Sequence, residues 1–244
     1  MFENFGTHNK IIDFSSFTLV IALLALTNTL YAQKKEKNFV SISNGRDLKG
    51  WKGDSTYWRV ENGLLIGEVT PSTLLKRNSF IIYQKNMPDN FELKVEYRVS
   101  AKGNSGINYR SVLIDGERFA LKGYQADIDG EDNWSGQNYE ERGREFLALR
   151  GQKVVIEPNG KIQLTDTLGT KADLQKFIHK EDWNEYHLII NGNRLQHFIN
   201  GVLMSDVTDQ DSVHQTFTGY LGVQVHVGPP MKIEYRDFRV KKLK

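Results

Sequence analysis

The sequence predicts an all-β fold, a β-sandwich of two antiparallel sheets, and three of its features carry that expectation. Short runs of alternating apolar and polar residues recur from Phe39 to the end, separated by turn signals. The dipeptides Asn191-Gly192 and Asn200-Gly201 supply the positive-φ chemistry of tight hairpins. Helical patterning is confined to one short segment, residues 171–177.

Taken in order, residues 91–99 give the clearest strand. Strict alternation turns Phe91, Leu93, Val95, Tyr97 and Val99 to a core and the charged residues between them to the other face. Residues 104–110 and 124–129 alternate in the same way but carry amides and carboxylates opposite their apolar side. The two Asn-Gly turns divide 186–190, 195–199 and 202–207 into three successive antiparallel strands. Two more strands follow at 220–227 and 232–242, interrupted by Gly228-Pro229-Pro230, which no continuous strand accommodates. The polar, glycine-punctuated segment 130–144 reads as a long loop able to close over a ligand.

No repeat or linker divides the chain, so residues 39–244 are expected to form a single domain preceded by a flexible stretch over 33–38. Lys10, the apolar run 17–26 and the small or neutral residues that follow read as a cleavable signal peptide over 1–32. An uncleaved anchor is the alternative. About ten apolar residues are too few to span a bilayer, so no stable membrane insertion is expected after cleavage. Cysteine is absent, which excludes disulfides and thiolate chemistry. A net charge of +2, without basic residues clustered among aromatics, gives no nucleic-acid footprint.

Candidate chemistry lies on the polar faces of three strands. Period two places Gln125, Asp127 and Asp129 together, Gln224 beside His226, and Asn104 with Asn108 and Arg110. They offer amides for hydroxyl groups, a carboxylate, a guanidinium and an imidazole. A strand wet on one face alternates too, so solvation alone is the competing account of each residue. Trp134 and Tyr139 in the 130–144 segment are candidates to stack on a sugar ring. His197 groups with Leu195 and Ile199, leaving a satisfied core histidine and a functional one both open. The histidines form no metal-ligand spacing motif, and there is no Gly-x-Ser-x-Gly elbow, phosphate loop or Glu-x-Asp-x-x-Glu strand.

Ordered motifs run through the domain: Asn44-Gly45-Arg46-Asp47-Leu48-Lys49-Gly50-Trp51, Gly103-Asn104-Ser105-Gly106-Ile107, Gly123-Tyr124-Gln125-x-Asp127-Ile128, Gly219-Tyr220-Leu221-Gly222-x-Gln224-x-His226 and Arg236-Asp237-Phe238-Arg239-Val240. In this order they resemble the 3-keto-disaccharide hydrolase family over residues 39–243. Ala126 departs from it, since a larger aliphatic residue is expected there.

The resemblance implies a concanavalin-like jelly roll, a periplasmic or secreted bacterial protein, and a small oligosaccharide or glycoside substrate. It also implies cleavage of a glycoside oxidised at C3, through removal of the acidified C2 proton and loss of the C1 substituent. On that footing His226 is the candidate base, Asp127 its orienting partner or a ligand of a possible divalent cation, and Arg110 the oxyanion partner. Asn104, Gln125, Gln224, Trp134 and Tyr139 are the candidate substrate contacts. Two other functions stay open. One is a carbohydrate-binding module without turnover. The other is a conventional glycosidase, whose second carboxylate would be Glu96, Asp129 or Glu131 beside Asp127.

Overall fold

Two faces of different chemistry on one sheet position everything that follows. The computed structural model describes Met1 and residues 36–244, so the expected signal peptide over 1–32 lies outside the described residues. In chain order the strands are β1 (Val40–Ser41), β2 (Trp51–Lys52), β3 (Trp58–Glu61), β4 (Leu64–Val69), β5 (Ser79–Tyr83), β6 (Phe91–Val99), β7 (Asn104–Leu113), β8 (Leu121–Asp129), β9 (Asn138–Glu141), β10 (Glu145–Ala148), β11 (Gln152–Ile156) and β12 (Ile162–Thr167). Helix α1 (Lys171–Gln175) follows, then β13 (Asn184–Asn191), β14 (Arg194–Ile199), β15 (Val202–Asp209), β16 (Tyr220–Val225) and β17 (Met231–Lys242). Thr170 caps α1, its hydroxyl accepting from the Asp173 N–H.

The strands form a ten-stranded sheet ordered β12-β11-β15-β14-β13-β6-β17-β4-β3, with β1 on β17, and a seven-stranded sheet ordered β10-β9-β8-β7-β16-β5-β2. The architecture is the all-β sandwich expected, with one exception to antiparallel order: β11 runs parallel to β15. The expected meander is β13–β14–β15, paired in succession. The two C-terminal strands part company at Gly228, β16 in one sheet and β17 in the other.

Alternation builds the core. All five apolar residues of β6 are buried, and Phe91, Leu93 and Val95 stand opposite Ile190, Leu188 and Tyr186 of β13. The seven-stranded sheet answers with Ile107 and Tyr109 of β7, Tyr124, Ala126 and Ile128 of β8, and Val223 and Val225 of β16. Ser105 links the layers, its hydroxyl bonded to the Tyr235 hydroxyl at 2.8 Å. Replacing Leu188, fully buried at the centre of the larger sheet, by alanine is expected to cost about 3 kcal/mol. Denaturant unfolding should show it as a lower midpoint at unchanged slope.

Candidate active site

The outer face of the seven-stranded sheet carries the polar residues. Pairing of β7 with β8 sets Asn104 opposite Asp129, Gly106 opposite Asp127 and Asn108 opposite Gln125. Gly106 is required by close approach: a Cβ there would come within 2.6 Å of the Gln125 side chain. Gln125 therefore lies flat across β7, and its Oε1 accepts from Gln224 Nε2 of β16 at 3.2 Å.

A cavity of about 380 Å³ opens above, lined by Asn104, Gln125, Asp127, Trp134, Tyr139 and His226, together with Asn78, Gln137, Glu141, Arg142 and Phe146. Asp127 is buried at its floor. Its Oδ1 accepts from Gln125 Nε2 at 2.7 Å and its Oδ2 from Gln137 Nε2. Burial pushes this carboxyl up to about 7 against the pull of those two amides, and the negative charges of Glu141 and Asp129 add to the rise. Glu141 is also raised by burial, opposed by the Asn78 amide, Arg142, the charge of His226 and Gln224. Its Oε1 accepts from Asn78 Nδ2 at 3.2 Å.

One wall is aromatic. The Phe146 ring lies 5.6 Å from Trp134 and 5.2 Å from Tyr139. Asp129 builds the turn that presents Trp134, its carboxylate accepting from the backbone N–H groups of Glu131, Asn133 and Trp134. A buried ion pair of Asp132 with Arg150, at 2.7 Å, anchors that turn from below.

The model of the 3-keto-alpha-glucoside-1,2-lyase-like domain matches residues 38–241. The chain belongs to this family. Membership marks it as a carbohydrate-active, glycosyl hydrolase-like domain, and it is the family resemblance that the motifs carry. No curated protein is a sequence match. Among solved structures, the chain is similar to a candidate glycosyl hydrolase from Parabacteroides distasonis at 22% identity and TM-score 0.57, over 87% of this chain and 98% of that one. It is also similar to a protein of unknown function with a galectin-like fold from Bacillus subtilis, at 14% identity and TM-score 0.58, over 84% and 94%. At such identities the likeness establishes the fold.

Of the residues singled out in sequence, Asn104, Gln125, Asp127, Trp134, Tyr139 and His226 line the same cavity. Gln224 lies beneath its floor, fully buried, reaching Gln125 and, at 3.5 Å, Glu141 Oε2. The expected pairing of Asp127 with His226 is not among its hydrogen bonds, which go instead to the amides of Gln125 and Gln137.

Arg110 is not in the cavity. It occupies a β-bulge with φ of +47°, where the β7–β8 register shifts, and this rotates its side chain away from Asn104 and Asn108. Its guanidinium instead donates to the carbonyls of Asp89, Gly192 and Thr216, clamping three loops.

His197 is a core histidine, fully buried between the sheets. Burial lowers its pKa to about 3, so the ring is neutral. Its Nδ1 donates to the Gln137 carbonyl, which fixes the tautomer and leaves Nε2 to accept from the Tyr109 hydroxyl at 2.9 Å.

Residues 130–144 are only partly a loop, since their second half contains β9. Glu141, Gln137, Asn78 and Phe146 are cavity residues that the sequence does not single out. The missing signal is apolar alternation: the inward residues of β9, Asn138 and Glu140, are polar themselves, bonded to Tyr109 and Arg144. Among the described residues no three His, Asp or Glu side chains gather as a metal-ligand set. The groups bonded to Asp127 are amide N–H donors, which cannot ligate a cation from the side they present.

Asp127 holds its proton more tightly folded than unfolded between pH 4 and pH 7, so it withdraws stability as pH rises through that window. The melting temperature of Asp127→Asn relative to wild type is therefore expected to climb from pH 4 to pH 7 and then level off. Arg110→Met should lower the melting temperature yet leave saccharide affinity within about twofold, as suits a loop clamp outside the cavity.

Proposed function

We propose that this domain cleaves glycosides whose sugar ring carries a ketone at C3. The ketone acidifies the C2 proton. A base removes it, the electron pair of the C2–H bond forms a C1–C2 double bond by way of the enolate, and the C1–O bond breaks, its electrons leaving with the aglycone oxygen. Addition of water across the double bond completes net hydrolysis.

The observation that carries this reading is the floor of the cavity: a buried carboxyl, Asp127, fixed by two amides and titrating near neutrality. A base of about pKa 7 suits abstraction of a carbon acid at neutral pH. We therefore assign the base to Asp127, in place of the His226 expected from sequence, and protonation of the departing oxygen to His226. With Arg110 committed to loop carbonyls, Arg142 is the guanidinium that lines the cavity. Its charge, the Asn104 amide and the second N–H of Asn78 and of Gln125, whose first N–H groups go to Glu141 and Asp127, are the groups that can stabilise the enolate oxygen. The Trp134–Phe146–Tyr139 wall supplies the apolar surface on which a sugar ring stacks.

One observation favours a second reading. Asp127 and Glu141 are two carboxyls in one cavity, both raised, as conventional glycoside hydrolysis would use.

A parallel assay separates the two, using 4-nitrophenyl 3-keto-glucoside and 4-nitrophenyl glucoside with and without chelator. Release from the keto substrate alone is expected, with kcat/KM rising through about pH 7 as Asp127 loses its proton. Asp127→Asn should lower kcat by about 10²–10⁴-fold. Release from the ordinary glucoside supports the two-carboxylate reading. Release from neither, with saccharide binding retained, overturns both in favour of a binding module.

A further inference from the structure

We propose that the same sheet face carries a second, adjoining subsite for an apolar, planar aglycone, which would make aryl glycosides the preferred substrate class. This rests on the reading above, since it extends the same site.

A cleft of about 540 Å³ lies beside Tyr220, with Ile82, Leu113 and Phe119 as its apolar lining. This is the size of a small-ligand site. Strand β16 serves both cavities: Tyr220 stands in the cleft and Gln224 beneath the first cavity, about 13 Å further along at ~3.3 Å per residue. What divides them is the turn between β7 and β8. It reaches past β16 to β5, where the Phe119 carbonyl accepts from the Phe80 N–H at 3.0 Å. Glu117 in this turn lines the cleft, and its carboxylate pairs at 3.1 Å both with Arg142 of the first cavity and with Arg77. The linings of the two cavities meet at the Glu117–Arg142 ion pair, and it is across this pair that the proposed C1 substituent would extend.

The lining decides what that substituent is. The first cavity is lined by four side-chain amides, of which Asn78, Gln125 and Gln137 each give one N–H to Glu141 or Asp127 and keep the other for a sugar hydroxyl, beside Asn104. The cleft has one side-chain amide, Gln84, which gives an N–H to the Ile82 carbonyl at 3.0 Å, and its Glu117 is engaged by two arginines. Lys52, Asp115 and Arg118 are exposed at the rim. Leu113 and Tyr220, 50% and 40% exposed, are left as an apolar surface. Phe80, Ile82 and Leu121 form a small buried cluster apart from the main core and support the floor. The groups that could meet a second sugar's hydroxyls are the charged side chains at the exposed rim, not the floor. A flat ring system finds Tyr220 to stack on.

The test compares 4-methylumbelliferyl 3-keto-glucoside with methyl 3-keto-glucoside in wild type, Tyr220→Ala and Tyr220→Phe. Tyr220→Ala is expected to raise KM for the umbelliferyl substrate about tenfold, the size of one lost aromatic contact. It should leave kcat and the methyl substrate unchanged, and Tyr220→Phe should restore the wild-type KM. An equal effect on both substrates, or none on either, overturns the subsite. If neither substrate is cleaved, the proposed reaction fails, and binding of free 4-methylumbelliferone reads the cleft separately. Saturable binding weakened about tenfold by Tyr220→Ala upholds the subsite, and its absence in wild type overturns it.

Discussion

A carboxyl sealed into the face of a β-sheet must find donors within the protein or remain protonated, and much of this site follows from how Asp127 meets that demand. Its donors come from two directions: Gln125 from its own strand, Gln137 from the turn leading into β9. Gln125 can take its pose only because residue 106 is glycine, and it is held from the far side by Gln224. Gln137 is fixed at its backbone by the core imidazole of His197. The cavity is therefore preorganised by the core beneath it, which is the condition for a tuned acid–base group to hold its geometry.

The same economy explains β9, a strand with scarcely any apolar residues. Its inward Glu140 meets Arg144, which also pairs with Asp209 and Asp211. Tyr124 donates to Asp209, tying β8 to β15. Burial works against ionisation of Asp211, but the N–H groups of Val213 and His214 and the His214 ring hold its carboxyl at about 2. A network with one guanidinium among several carboxylates replaces hydrophobic packing along this edge, and its members are costly to remove singly.

These arrangements mark the limits of what periodicity can reveal. Strand β6, the meander and the polar faces of β8 and β16 were legible because one side of each strand is apolar. Gln125 and Asp127 on one strand, and Gln224 and His226 on another, are grouped by alternation, and the family resemblance joins the two sets. Strand β9 was not legible, because its buried side is satisfied by ions and amides. Arg110 was misplaced because period two holds only while the backbone stays extended, and a bulge at positive φ breaks it. Glu141 was lost with its strand. His197 could not be decided without knowing that a carbonyl and a phenol stood ready for its two nitrogens.

The parallel pairing of β11 with β15 bears on how the chain is made. Val154 faces Val207, so β11 leaves the ribosome with β12, α1, β13 and β14 still to come before its neighbour exists. During that interval only β12 can cover it, by a local hairpin. All six residues of β12 are exposed, and its sequence, Ile-Gln-Leu-Thr-Asp-Thr, has only two apolar residues and ends in a polar run that carries an acidic group. That composition keeps the nascent hairpin a poor template for other chains while it waits for its partner.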